Sequence, residues 1–269
     1  MAQQSMAPLA QFPATARRNI RGVFTDIDDT LTDDGRLGAA AYGALERLKA
    51  AGLLVVPITG RPAGWCDMIA RQWPVDAVVG ENGAFYFWHD HAQRKLRQRF
   101  LQSEQEREAG RQRLEALRGR ILREVPGAGV ASDQPYRLAD LAIDFCEDVA
   151  PLPRGEIDRI VALFDEAGAT AKISSIHVNG WFGRYDKLGM TRILMRELFD
   201  VDLDAEREHY VFAGDSPNDA PMFGFFPNAV GVANVADFAD RMVTLPRWVA
   251  SARGGAGFVE LAEALLAVR

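Results

Sequence analysis

Cysteine is nearly absent from this 269-residue chain: there are two, Cys66 and Cys146, far apart and outside any CxxC spacing. That excludes a disulfide framework and a paired redox motif, and it fits a cytoplasmic protein whose reduced thiols fill small core sites. Histidine is scarce too, and His89, His91 and His209 make no metal-ligand pattern. No apolar run approaches the length of a membrane span. Residues 1–18 lack the continuous apolar stretch of a secretory signal; rich in Ala, Gln and Pro, they read as a flexible tail. There is no internal repeat and no low-complexity tract. A net charge of −6 argues against nucleic-acid binding by the chain as a whole, while a local site can still be positive enough for a small phosphorylated metabolite.

What is present is alternation. Arg21 to Asp26, Leu53 to Ile58, Asp76 to Val79 and His209 to Ala213 read as buried strands, because each is short, apolar and continuous. Leu37 to Ala51, Pro62 to Gln72, Leu188 to Phe199 and Phe258 to Val268 read as helices, with Gly52 as a stop and Pro62 as a start. Strands that alternate with helices predict an α/β fold, a parallel sheet covered on both faces. The region from His89 to Gly183 interrupts the pattern. It holds a charged helix from Ser103 to Glu124 with a stripe of Leu114, Leu117, Ile121 and Leu122, a strand at Leu138 to Cys146, a helix at Gly155 to Ala167 and a β-rich end at Thr170 to Phe182. It is too long for a crossover connection and reads as a separate inserted domain.

Chemistry gathers where the strands end. Asp26-Ile27-Asp28-Asp29-Thr30, Thr59-Gly60-Arg61 and Gly214-Asp215-Ser216-Pro217-Asn218-Asp219 each follow an apolar run. In an open α/β sheet the carboxyl ends of the strands form the ligand crevice, which brings these segments together. Carboxylates without His or Cys beside them suit a hard cation such as Mg²⁺. A hydroxyl, the amine of Lys187 and backbone N–H groups suit a phosphate. The combination implies attack on a phosphoryl group by an aspartate.

In order and spacing the four segments resemble those of the haloacid dehalogenase superfamily phosphatases, of the branch with a large cap between the second and third motifs. That branch includes Cof-like, sucrose-phosphatase-like and mannosylphosphoglycerate-phosphatase-like enzymes. The resemblance covers the chain from about Asn19 onward. It implies a Rossmann-like core from residues 19–88 and 184–269, with an α/β cap at 89–183. It makes Asp26 the nucleophile and Asp28 the acid that protonates the leaving alcohol and then the base that activates water. Thr59 and Gly60 would hold phosphoryl oxygens, and Lys187 would neutralise Asp26 and the phosphate. Mg²⁺ would be held by Asp26, Asp215, Asp219 and the backbone carbonyl of Asp28. Ser216 and Asn218 would orient ligands or phosphate. Asp29 departs from the family's frequent glycine and reads as solvated.

Other segments keep two readings. Arg61 suits a substrate anion or a structural carboxylate. Glu81-Asn82-Gly83 resembles a signature of the large-capped branch and is also a plain hairpin turn. Ser174 to Trp181, with His177, Asn179 and Trp181, is either a sugar-binding surface or a hairpin with a core tryptophan. Ten basic and four acidic residues between Arg94 and Arg123 read as a solvated helix face, since no aromatic platform is interleaved. The expectation is a phosphatase acting on a small phosphomonoester, with sugar phosphate as the substrate class the resemblance implies. The alternatives are a sugar phosphomutase and a non-catalytic phospholigand-binding module. The oligomeric state stays open.

Overall fold

A strand that is apolar on both faces pairs best inside a parallel sheet covered by helices. The computed structural model, which describes residues 6–269, has that sheet. Its six strands run in the order Ala7–Pro8, Trp248–Val249, Val230–Gly231, Tyr210–Gly214, Gly22–Thr25 and Leu54–Pro57, every neighbouring pair parallel. Successive side chains go to opposite faces. Val23, Val55 and Val211 enter one apolar cluster with the helices Ala39–Ala50 and Gly254–Leu266. Phe24, Val56 and Phe212 enter a second with Lys187–Phe199 and Ala220–Phe225. Thr25 is level with Pro57 and with Ala213. Asp26, Thr59 and Asp215 therefore leave the sheet at the same end.

A second sheet lies between the two halves of the core. It is antiparallel, in the order Thr170–Ile173, His177–Trp181, Leu141–Asp144, Gly129–Val130. The helices Glu104–Glu124 and Arg154–Glu166 cover it in an apolar cluster of their own. Ser103 and Glu106 form a reciprocal capping box that starts the first of these helices. Its arginines pair along and across the surface, Arg118 with Glu115 and Arg120 with Glu124 and Glu166, as a solvated charged face does. Among the described residues no helix is long and apolar enough to cross a membrane.

Three expectations change. Residues 1–5 of the expected tail lie outside the described residues, but the remainder is built into the core. Ala7–Pro8 pairs with Trp248–Val249, Phe12 stacks on Trp248 at 5.3 Å, and Arg17 Nη1 donates to Ala264 O at 2.6 Å. Leu9 and Phe12 are buried there, apolar anchors that a composition of Ala, Gln and Pro conceals. The insert boundary expected at residue 89 falls inside a continuous strand. Phe85–Asp90 pairs with an unforeseen strand, Lys95–Phe100, and with Val78–Gly80 in a three-stranded sheet. Leu96 and Phe100 pack against the main core, and the charges alternating with them mask the period. Finally, Leu122 is exposed whereas Leu114, Leu117 and Ile121 are buried. One residue beyond Ile121 lies about 100° further round the helix, outside the stripe.

Candidate active site

Asp26 follows the central strand, its N–H donating to Ala213 O at 2.9 Å, and its side chain is almost wholly buried. Lys187, the first residue of its helix, sends Nζ to Asp26 Oδ1 at 2.7 Å and to Asp219 Oδ1 at 2.7 Å. The N-cap Asp186 accepts from Gly189 N at 2.6 Å and sets the direction of that helix. Asp219 lies at the end of the turn Pro217–Asp219, and its second oxygen accepts from Asp215 N at 3.0 Å. Asp26, Asp215 and Asp219 bring carboxylate oxygens within 4.8 Å of one another, all buried.

The electrostatics are unbalanced. Burial would lower the Lys187 pKa, but Asp219 and Asp26 outweigh it and raise it, so the ammonium stays charged. Burial pushes Asp26 upward, with Lys187 opposing. Burial, then Asp219 and Asp26, carry Asp215 well above the carboxylate range. Three buried carboxylates face one ammonium, and charges of one sign out of water are costly unless a counter-ion joins them. An all-oxygen set of this kind suits a hard divalent cation. Asp28 is not part of the cluster through its carboxylate, which Arg61 Nε engages at 2.9 and 3.1 Å.

Above the carboxylates is an enclosure lined by Asp26, Asp28, Gly60, Arg61, Ser216 and Asn218 from the core and by Arg137, Ser174–His177 and Asn179 from the second sheet. Its water-accessible space is about 10 Å³, room for about one water. Thr59 lies outside this lining, fully buried, and its Oγ1 accepts from Arg61 N at 2.9 Å. Gly60 has little choice of side chain, since a Cβ there would stand 3.1 Å from Asn82 Nδ2. Asn218 is shared with a wider cleft of about 430 Å³ that also includes Lys172 and Arg241.

The second sheet supplies His177 and Asn179. His177 Nε2 stands 2.8 Å from Glu147 Oε2, and Asn179 Nδ2 donates to Asp140 Oδ2 at 3.0 Å. The His177 contact and then Arg61 outweigh burial and hold the Glu147 carboxyl down to about 2. Trp181 does not join them. It is fully buried in the main core, stacked on Tyr185 at 5.2 Å, so it offers no sugar platform. Asp29 is not simply solvated either. It is half-buried with φ 55°, the left-handed conformation a glycine adopts freely, and burial raises its carboxyl.

A family model described as haloacid dehalogenase-like hydrolase matches residues 23–112, which contain Asp26, Asp28, Thr59 and Gly60. Over residues 23–112 the chain is thus similar to the haloacid dehalogenase-like hydrolases. A phosphoglycolate phosphatase from Methanospirillum hungatei is 39% identical over 72 residues, a match that spans 25% of this chain and 30% of that relative. A Thermoplasma acidophilum structure superposes with a TM-score of 0.68 at 20% identity, covering 92% of this chain and 98% of that one. The Synechocystis sucrose-phosphatase, solved with sucrose and phosphate, superposes with a TM-score of 0.63 at 16% identity, covering 91% and 98%. The shared fold thus covers nearly the whole chain.

Several contacts at this site were not read from the sequence. Thr30 Oγ1 donates to Asp215 Oδ1 at 3.1 Å, and Asn234 Nδ2 donates to Asp215 Oδ2 at 3.1 Å and to Asp29 O at 2.9 Å. Asn234 lies three residues past the strand Val230–Gly231, at the start of the helical segment Ala233–Arg241, a strand-end position that could have been read. Arg137 Nε donates to Asp133 Oδ1 at 3.0 Å and its Nη1 to Asp140 Oδ1 at 3.0 Å and to Gly60 O at 2.8 Å. The charge spacing at 133, 137 and 140 was the available sign. Glu81 reaches across the units and accepts from Ala63, Leu138, Ala139 and Asp140 N–H groups at 2.6 to 3.2 Å.

Proposed function

We propose that this protein is a divalent-metal-dependent phosphatase that hydrolyses a small phosphomonoester through an aspartyl-phosphate intermediate. The observation that carries the reading is Lys187 Nζ, held at 2.7 Å from both Asp219 and Asp26, the latter lining the polar enclosure. Mere ligand binding has no need of a buried carboxylate with an ammonium fixed against it.

The cation that fits is Mg²⁺, with Asp26, Asp215, Asp219 and the Asp28 carbonyl to hold it. When bound it supplies charge neutralisation for the phosphoryl oxygens. Asp26 attacks phosphorus, the bond to the leaving oxygen breaks, and Asp28 gives its proton to that oxygen to release the alcohol. Asp28, now a carboxylate, takes a proton from water as the water oxygen attacks phosphorus. The Asp26–phosphorus bond breaks, returning the Asp26 carboxylate and inorganic phosphate. Lys187 holds Asp26 in line and offsets the charge that builds on the phosphoryl group. The Gly60 backbone and Asn218 serve as phosphate donors, while the buried Thr59 hydroxyl, accepting from Arg61 N, shapes the loop that presents them. The unit around the second sheet acts as a cap that shuts out water and reads the leaving group through His177 and Asn179, and sugar phosphate is the class we assign. Two unpaired cysteines, Cys66 and Cys146, suit a cytoplasmic enzyme.

Phosphate release measured over sugar phosphates, phosphoglycolate, phosphoglycerates, nucleotides and an aryl phosphate, with and without Mg²⁺, tests this. We expect Mg²⁺-dependent release that Asp26→Asn abolishes while the variant keeps its fold. Release from no substrate, or substantial activity in Asp26→Asn, would remove the mechanism.

A further inference from the structure

Arg61 follows the strand Leu54–Pro57 and belongs to the core, yet its guanidinium is spent on both units. Nε meets the two oxygens of Asp28 at 2.9 and 3.1 Å. Nη1 lies 3.3 Å from Asp133 Oδ2 and Nη2 3.0 Å from Glu147 Oε1, both on the second unit. The Trp65 ring lies 4.3 Å beneath and fixes the plane of the fork. Asp133 is held in turn by Arg137, whose Nη1 returns to Gly60 O beside Arg61. A ring of contacts, Gly60, Arg61, Asp133 and Arg137, thus crosses twice between the units. Every nitrogen of the Arg61 fork has a carboxylate partner, so its charge is already offset by three carboxylates within the protein. The side chain is buried, only 4% exposed, beside the partly exposed Asp28 at 18%.

We propose that Arg61 is a positioning residue that makes the aim of Asp28 depend on the seating of the second unit. The proposal rests on the phosphatase reading. With the unit seated, Asp133 and Glu147 hold the outer nitrogens, and the Nε edge of the rigid fork faces Asp28. With the unit lifted, Arg61 keeps one carboxylate of three, and Asp28 loses its fixed direction. The leaving-group proton is then delivered only when the enclosure is shut against water.

The test compares two leaving groups. An alkyl phosphate such as glycerol phosphate leaves as an alkoxide and needs the Asp28 proton; 4-nitrophenyl phosphate does not. In Arg61→Met we expect the single-turnover rate of alcohol release from the alkyl ester to fall about 10- to 100-fold, part of the usual worth of a general acid, with the rate of the first-turnover nitrophenolate burst on the aryl ester within about 3-fold, since that first step alone differs in its need for the Asp28 proton. Asp133→Asn and Glu147→Gln touch no reacting atom and should shift the ratio in the same direction by less. Arg61→Lys should recover little, because an ammonium has no second planar edge. Thermal unfolding of each variant checks its fold, and Glu147→Gln, at a partly exposed side chain, covers failure of the Arg61 variants to fold. A raised KM on both esters with kcat unchanged in Arg61→Met would make Arg61 a substrate ligand and overturn the proposal. Equal losses on both esters, or no change, in folded Asp133→Asn and Glu147→Gln would overturn it as well. Wild-type protein that hydrolyses neither ester would remove the phosphatase reading and this proposal together.

Discussion

Replacing Glu81 with Ala should loosen the joint between the two units by an amount the geometry bounds. The Glu81 carboxylate is wholly buried and accepts four backbone N–H groups, from Ala63, Leu138, Ala139 and Asp140. A buried donor left without a partner costs about 1–3 kcal/mol, so four give roughly 4–12 kcal/mol as an upper range. Two effects reduce it. Water can enter the emptied volume, and the cost of burying a carboxylate disappears. We expect a net loss of about 3–5 kcal/mol, a large share of the stability an ordinary domain has. At about 2.1 cal/mol/K of unfolding entropy per residue, this lowers the melting temperature by roughly 5–9 °C. Glu81→Gln keeps one acceptor oxygen and should lose about half as much. Differential scanning calorimetry gives the magnitude, and hydrogen exchange at residues 138–140 gives its location. Burial first and then Asp140 carry the Glu81 carboxyl up to about 8. A carboxyl raised by folding takes up protons in the folded state, so its contribution declines as pH rises from about 4.3 toward that value. Glu81→Gln should lack that decline. A melting temperature within 2 °C of wild type in Glu81→Ala, estimated as about 1 kcal/mol, with unchanged exchange at 138–140, would refute the reasoning.

Other outcomes follow from the same geometry. Asp215→Asn should remove the melting-temperature rise that Mg²⁺ gives the wild-type protein, and Ca²⁺, which prefers more ligands and looser geometry, should bind but inhibit phosphate release. His177→Ala and Asn179→Ala should lower kcat/KM on the best sugar phosphate by about 5- to 100-fold and barely change it on a small aryl phosphate, with equal losses pointing to a folding role. Glu147, held down to about 2 by His177 and Arg61, keeps its interdomain tie above its unfolded pKa near 4.3 and loses it as pH falls through that lower value. Hydrogen exchange around residues 131–147 should therefore speed up first across this acid window, and Glu147→Gln should be fast throughout.

Burial and strand ends explain which parts of the molecule could be read in advance. The central strands were visible because a strand covered on both faces is a plain apolar run, and the acidic segments at their ends had to share one edge. Lys187 needed the resemblance, since nothing local separates it from a surface lysine. The grip of Glu81 was not legible: it binds backbone N–H groups of a distant loop, and backbone partners leave no trace in residue type. Trp181 shows the opposite difficulty. In His177–Trp181 all five residues are buried, so alternation could not say which face meets the site and which meets the core. Lys95–Phe100 was hidden because its apolar positions, Leu96 and Phe100, are only half-buried and diluted by charge.

The outermost strand of the core sheet is two residues long and ends in Pro8, while the opposite outer strand ends in Pro57. A proline offers no N–H to a newcomer, so the Ala7–Pro8 flank is a poor template for another chain, while the Leu54–Pro57 flank is already met by residues 76–79, with Asp76 N donating to Val55 O and Ile58 bridging Val79. The segment carrying Leu9 and Phe12 therefore acts as a selvedge, finishing a border that would otherwise fray into its neighbours. An N-terminal truncation past Phe12 would bare Trp248–Val249 along its length, and such a fragment should self-associate where the longer chain stays dispersed.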